Sequence, residues 1–230
     1  GGNVLIDPEL FKNFIDDVVV LNKLGLTTII VHGGGPRIKN KLHDLGIKSI
    51  FIRGLRVTNK KIMEIVENVL IEFNKEIVSA LEKAGCKSKS ITVKENNSIF
   101  VEQKNKVLGF VGTPNNINSK LIKNLIKEDF IPVISPMGLD QKNQTYNINA
   151  DTAAGALATN LKSRRLMLMT DVEGVYDKNK ELISEVISSE AEKLIYDGTI
   201  KEGMIPKIRT CIDAVNNGVK GVVIIDGRKS

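Results

Sequence analysis

Three consecutive glycines in Val31-His32-Gly33-Gly34-Gly35-Pro36 separate a β-branched apolar run, residues 27–31, from a helical pattern with Pro36 near its first position. Glycines there leave backbone N–H groups open to close approach. A helix N-terminus adds partial positive charge, so the turn suits a phosphate or a carboxylate. The plain alternative is a tight strand-to-helix turn with no ligand. The spacing is not G-x-G-x-x-G, and no G-x-x-x-x-G-K-[ST] occurs, so neither a dinucleotide fingerprint nor a P-loop is present.

Three more places carry suitable groups. In Asn147-Ile148-Asn149-Ala150-Asp151, two amides and a carboxylate fall at alternate positions and point to one side of an extended segment. They offer donors, acceptors and a charge together; alternatively, Asp151 simply caps the helix that follows. Lys207, in Gly203-Met204-Ile205-Pro206-Lys207, lies in the first turn of a helix, where the dipole disfavours a cation. A bound anion would make sense of it; the alternative is a solvated surface lysine. Arg56 follows Gly54-Leu55 on a loop. It could grip a carboxylate with its planar fork or lie on the surface, as most arginines do.

The elements that must hold these residues alternate. Asp7 caps a helix over 8–24 closed by Gly25, a strand covers 27–31, and a helix over 36–45 stops at Gly46. Residues 49–52 read as a short strand. Thr58 caps a long helix with apolar Ile62, Ile65, Val66, Val69, Leu70, Phe73, Ile77 and Leu81, ending at Gly85. Three short runs, 91–93, 99–101 and 107–108, read as hairpin strands. A helix over 119–127, a strand over 131–135, a small-residue helix over 150–161 and a strand over 165–170 follow. The turn 171–174, helices over 188–197 and 204–217 and a strand over 220–225 complete the chain. Such alternation implies an α/β fold: a three-layer αβα sandwich with a mainly parallel open sheet, plus a β-hairpin region. Ligands in such sheets bind beyond the carboxyl ends of the strands. Glycine turns around Gly2, Gly34 and Gly174 sit at such ends, which favours the anion reading.

Composition excludes several classes. The net charge of +6 is spread over many helix surfaces, the chain has no Trp, and aromatics are 4% of it, which argues against a nucleic-acid partner. No apolar run approaches the ~20 residues of a membrane span, so no membrane partner is expected. Cys86 and Cys211 are far apart, Cys211 falls on an apolar helix face as a buried free thiol, and no Cys/His cluster has metal-ligand spacing. A reduced, cytoplasmic location fits.

Taken in order, these segments resemble the amino acid kinase family over nearly the whole chain. Gly1-Gly2 is similar to the second half of its K-x-G-G motif, and 31–36 to its H-G-G-G turn. Gly54-Leu55-Arg56-Val57-Thr58 resembles the R-x-T loop of members acting on N-acetylglutamate. Leu108-Gly109-Phe110-Val111-Gly112 resembles the hairpin ending in G-x-V-G. Residues 147–151 resemble N-x-N-A-D, 170–176 resemble T-D-V-x-G-V, and 203–207 resemble G-M-x-x-K.

The resemblance implies ATP-dependent, in-line phosphorylation of the γ-carboxylate of N-acetyl-L-glutamate, a step of arginine biosynthesis. It implies one amino acid kinase domain over residues 1–230, with an acidic-substrate lobe at about 1–150 and a nucleotide lobe at about 151–230. The implied catalytic residues are Lys207, Asp151 and Gly34, with substrate held by Gly34, Gly35, Arg56, Asn147 and Asn149. The implied nucleotide-binding residues are Gly2, Thr170, Asp171, Val172, Gly174, Val175, Tyr176, Thr199, Ile200, Lys201 and Met204. Mg2+ would ride on the ATP phosphates, with no metal held by the protein alone. His32 is expected to order the turn, because phosphoryl transfer to a carboxylate needs no general base. The resemblance also implies a homodimer or a higher homo-oligomer. The family's first catalytic lysine lies two positions before the glycine pair, outside this chain, and both ends are expected to be cut. A sibling kinase acting on a blocked aminoadipate, or a nucleotide-binding regulator without catalysis, would share the glycine turns. The 54–58 loop favours N-acetylglutamate.

Overall fold

The computed structural model describes residues 4–201 and 204–229. The expected turn at Gly1-Gly2 and the Gly203 that opens the 203–207 motif lie outside the described residues.

Helix α1 (Pro8–Lys23) begins as expected. The Asp7 carboxylate accepts from the N–H groups of Glu9 and Leu10, with Pro8 in the first turn. Strand β1 (Ile30–Val31) leads into α2 (Gly35–Asp44). Strands β2 (Phe51–Ile52) and β3 (Leu55–Arg56) form a tight hairpin whose turn puts Arg53 and Gly54 at φ of 48° and 77°. Helix α3 (Lys60–Lys83) is capped by Asn59, not by Thr58 as expected. Asn59 Oδ1 accepts from the Ile62 N–H, whereas the Thr58 hydroxyl donates to the Arg56 carbonyl. Thr58 is also committed to an extended ladder, donating to Leu108 and accepting from Phe110.

The chain continues through β4 (Ser88–Ile91), β5 (Ile99–Gln103), β6 (Gly112–Ile117), α4 (Ser119–Lys127) and β7 (Ile131–Ile134). Next come β8 (Met137–Leu139), β9 (Thr145–Asn147), α5 (Ala150–Asn160) and β10 (Leu166–Thr170). Strands β11 (Val175–Tyr176) and β12 (Leu182–Ile183), helices α6 (Ser188–Tyr196) and α7 (Ile205–Asn216) and strand β13 (Val222–Asp226) close it. Two expected hairpin strands are corrected. Of the run at 91–93 only Ile91 is in a strand: it ends β4, which pairs in parallel with β7 in the order β1-β7-β4. Residues 107–108 lie in a 3-10 turn, because Asn105 Oδ1 takes the Val107 N–H and curls the chain.

Alternation along the parallel strands makes the layers. Ile30, Ile131 and Val133 pack with Ile15 and Val18 of α1 and with Phe73 and Ile77 of α3. Their neighbours Val31, Ile134 and Ile91 turn the other way, onto Ile122 of α4 and onto Ala153 and Leu157 of α5. Helices therefore cover both faces of β1-β7-β4. A second parallel pair, β10-β13, packs Leu166 and Leu168 against Ala158 of α5 and Ala214 of α7. The sheet β6-β5-β8-β9 carries the hairpin region. Cys86 is a buried free thiol; Cys211 is also free but half-buried, and desolvation pushes it up to about 11. Among the described residues, no helix is long and apolar enough to cross a membrane.

Candidate active site

Strands β1 and β7 end side by side, with the His32 N–H donating to the Ile134 carbonyl. Helix α2 follows β1 after the three residues His32, Gly33 and Gly34. Helix α5 starts two residues after Ile148, whose N–H donates to the Pro136 carbonyl just past β7. The N-termini of α2 and α5 thus lie beyond the same carboxyl edge of the sheet, where their partial positive charges favour an anion. Gly34 is buried at the α2 N-cap, and a Cβ there would meet Leu70 Cδ2 at 2.6 Å. Gly35 is exposed, and a Cβ there would meet nothing within 4 Å.

His32 is buried under this turn. Its Nε2 lies 3.1 Å from Asn74 Nδ2, which can only donate, so the ring proton belongs on Nδ1, 3.3 Å from the Gly33 carbonyl. Desolvation is the main cause that lowers His32 to about 4; the Gly33 carbonyl opposes it, and Arg37 adds to it. A neutral imidazole that fastens the turn to α3 matches the ordering role expected for it.

Asp151 and Lys207 meet across the α5–α7 seam. Lys207 Nζ donates to Asp151 Oδ2 at 2.8 Å, with the lysine side chain 13% exposed and the carboxylate 31%. Lys207 is therefore not a solvated surface lysine. Nor is Asp151 the cap: Asn149 is, accepting from the Thr152 N–H at 3.0 Å and from its hydroxyl at 3.3 Å. The pair suits both helices unequally. The α5 dipole favours the Asp151 charge in its first turn, and the α7 dipole opposes the Lys207 charge.

Arg56 is buried, not on the surface. Its guanidinium donates to Ser49 Oγ and, at 3.2 Å, to the Gly35 carbonyl, and it lies 4.7 Å over the Phe51 ring. Burial lowers its pKa. Among the described residues it has no carboxylate partner. A backbone ladder carries Asn147 to the same region: Thr58 bridges Gly109, Phe110 donates to Thr58, and the Asn147 N–H donates to Phe110. The half-buried Asn147 side chain has no hydrogen-bond partner among the described residues.

Of the expected nucleotide residues, Thr170 and the turn at 171–174 lie at the ends of β10 and β13. Thr170 pairs with Asp226, and the Gly227 N–H donates to the Thr170 carbonyl at 2.9 Å. Asp226 accepts two bonds from the Arg228 guanidinium, at 2.9 and 2.8 Å, and one from its backbone N–H at 3.0 Å, and the guanidinium is the main cause that holds it down to about 2. Glu173 accepts from Lys229 and from the Tyr176 hydroxyl, stitching the turn at 171–174, with Asp171, Val172 and Gly174, to residues 227–229. Val175 enters a separate cluster with Ile200, Ile208 and Ile212. Thr199 is engaged locally, giving its hydroxyl and its N–H to Asp197, which also pairs with Lys178 and is held to about 2. The Lys201 carbonyl accepts from Met204 and Ile205, closing the turn into α7. Gly2, also expected here, lies outside the described residues. Helix α5 packs on β1, β10 and α7, so it joins the two groups of residues.

Two supporting residues were not foreseen. Asn74 gives its amide to His32 and to the Val133 carbonyl, and its signal was a lone amide on the apolar α3 stripe of Leu70, Phe73 and Ile77. Ser49 holds Arg56, and nothing in its local sequence marks it. Among the described residues, no group of three or more His, Cys, Asp or Glu could hold a metal ion.

Comparison with known proteins gives the family. A model described as "Amino acid kinase family" matches residues 1–226. The "Acetylglutamate kinase" of Pelagibacter ubique (strain HTCC1062) is 61% identical over 230 residues, covering 100% of this chain and 80% of that protein. The "Acetylglutamate kinase" of Ruegeria pomeroyi is 44% identical over 229 residues, covering 99% and 80%. The crystal structure of smu.665 from Streptococcus mutans UA159 superposes with a TM-score of 0.86 at 30% identity, covering 92% of this chain and 87% of that one. With a family model spanning almost its whole length and relatives this similar along it, the chain belongs to the amino acid kinase family.

Proposed function

We propose that this protein transfers the γ-phosphoryl group of ATP to the γ-carboxylate of N-acetyl-L-glutamate, forming an acyl phosphate in arginine biosynthesis. The observation that carries this reading is Arg56: a buried cation with only neutral partners, touching the carbonyl of the glycine turn. Such a group asks for a carboxylate beside the turn. The relatives named Acetylglutamate kinase, at 61% and 44% identity, support the same substrate.

In this reading Arg56 grips the substrate α-carboxylate, and the unpartnered Asn147 amide meets its amide region. Asn149 offers only its Nδ2, since its Oδ1 caps α5. A γ-carboxylate oxygen attacks the γ-phosphorus in line, the bond to the β–γ bridging oxygen breaks, and ADP leaves with that electron pair. No proton moves, so a neutral His32 is no handicap. The Gly34 and Gly35 N–H groups, at the start of α2, meet the transferring oxygens. Lys207 meets charge developing on the nucleotide side, and Asp151 aims its ammonium group. Thr170, Asp171, Val172, Gly174, Val175, Tyr176, Thr199, Ile200, Lys201 and Met204, with Gly2, line the nucleotide pocket. Mg2+ carried on the ATP phosphates would screen their charge. The acidic-substrate lobe spans about 1–150 and the nucleotide lobe about 151–230, in a cytoplasmic homo-oligomer.

The test is hydroxylamine trapping of acyl phosphate by the full-length gene product with Mg-ATP. N-acetylglutamate is expected to be the best acceptor. Equal or better turnover of glutamate, aspartate, carbamate or a blocked aminoadipate overturns the substrate assignment, and no turnover of any acceptor overturns the kinase reading.

A further inference from the structure

Gly155 and Thr210 touch on the seam that brings Asp151 to Lys207. Gly155 is buried in α5, four residues and so one turn beyond Asp151 on the same face. Thr210 is three residues beyond Lys207 in α7. A Cβ added to Gly155 would lie 2.6 Å from Thr210 Cγ2, inside the ~3.5–4.0 Å of ordinary carbon contact. Thr210 cannot swing that methyl aside freely. Branching at Cβ restricts its χ1 in a helix, and its hydroxyl donates to the Pro206 carbonyl at 3.1 Å. The backbone of α5 is thus seated on a β-branched side chain, one turn from the 2.8 Å ion pair.

From this contact we infer that Gly155 and Thr210 are positioning residues for the reaction: they set the α5–α7 spacing that aims the Lys207 ammonium group. Neither needs to touch substrate. The inference rests on the reading of Asp151 and Lys207 given above. A methyl at Gly155 forces the helices apart by about 1 Å to restore normal contact. Displacement on that scale at a charge-stabilising group costs on the order of 100-fold in rate while leaving substrate binding largely intact. Thr210→Ser removes Cγ2 and keeps the hydroxyl that bonds Pro206, so it makes room for the methyl.

The experiment is steady-state kinetics on the full-length gene product carrying Gly155→Ala, Gly155→Ala/Thr210→Ser and, in parallel, Lys207→Ala. The expected result is a kcat lower by ~30–100-fold in Gly155→Ala, both KM values within ~3-fold of wild type, and a kcat restored to within ~5-fold in the double variant. A Gly155→Ala enzyme with wild-type kcat overturns the inference. So does a loss that Thr210→Ser leaves unrepaired, because a general packing defect would behave in that way. If Gly155→Ala alone does not fold, it is compared in the Thr210→Ser and Thr210→Ala backgrounds. Both lack the obstructing methyl, so near-wild-type kcat in both is expected and low kcat in both overturns the inference. Lys207→Ala separates the two levels. Wild-type kcat there removes the role of the ion pair itself, whereas a large loss there beside a normal Gly155→Ala removes only the positioning role.

Discussion

The Arg56 guanidinium is buried against Ser49 Oγ, the Gly35 carbonyl and the Phe51 ring, and burial lowers its pKa. A cation left in that state gains more from an incoming carboxylate than an exposed one would, because most of its hydration is already lost. Arg56→Lys keeps the charge and loses the planar fork. It is expected to weaken N-acetylglutamate binding by ~1.5–3 kcal/mol, the scale of a charge-assisted hydrogen bond, with ATP affinity nearly unchanged. Isothermal titration with each ligand checks the split; equal weakening of both would mean a general loss of packing. Lys207 poses the opposite question. Its pair with Asp151 is largely shielded, so Lys207→Ala leaves the carboxylate unpaired and should cost ~1–3 kcal/mol of unfolding stability, offset in part because its charge opposes the α7 dipole. In the proposed transfer it would meet charge that appears only in the transition state. Its loss should therefore lower kcat by ~100-fold or more and barely move either KM. Wild-type turnover in Lys207→Ala would take it out of the reaction.

Elements explain why these side chains meet. Helices α2 and α5 start beyond one sheet edge because β1 and β7 are paired neighbours, and α7 is drawn to α5 along a glycine seam. The ladder of Thr58, Phe110 and Asn147 then ties the Arg56 hairpin to the sheet that carries Asn147. Gly109 is its tightest point, with φ of 69° and a backbone that a Cβ would drive into the Thr58 carbonyl. Gly109→Ala should destabilise the fold by ~1–3 kcal/mol and raise the KM for N-acetylglutamate more than that for ATP. A melt and a kinetic comparison test this, and an unshifted melt would show that the ladder yields easily. Local signals were enough for much of this scale. Asp7, Pro8 and the glycine stops marked α1 and α2, and α4 falls on its expected residues, 119–127. Strand partners were not legible, since pairing is non-local: residues 91–93 looked like half of a hairpin, and β4 instead joins β7. Strands β8 and β9 escaped notice because Pro136, Gly138 and a polar turn interrupt any alternation there. At the candidate site, Asp151 and Lys207 were singled out by type and position, and the structure pairs them. Ser49, Asn74 and Thr210 were not, because each acts on a partner far away in sequence.

At the scale of the whole molecule, α5 spans both groups of site residues, and the acid stability of the chain should be set in two separate pH windows. Asp226 and Asp197 are both held to about 2 by hydrogen bonds from cations and hydroxyls, so what they contribute is present above the ordinary carboxylate value of 3.8 and lost as pH falls towards 2. His32 acts higher. Its folded value of about 4 lies below the ordinary 6.5 because burial disfavours the imidazolium. Between those values the unfolded chain binds a proton that the folded chain refuses, so stability rises with pH across that window and falls as pH drops from 6.5 to 4. The shift corresponds to about 3 kcal/mol, all of it present above 6.5. The same ring fastens Gly33 to α3, so acid that charges it also loosens the glycine turn. His32→Gln removes the titration while leaving an amide in the cavity. The variant will be less stable at pH 7, but its loss between pH 7 and pH 4.5 should be smaller than that of the wild type by about 2–3 kcal/mol. Urea unfolding at a series of pH values reads that difference directly. Parallel stability–pH curves for the two proteins would mean that His32 takes up its proton in the folded state without cost, and that the acid sensitivity of the turn resides elsewhere.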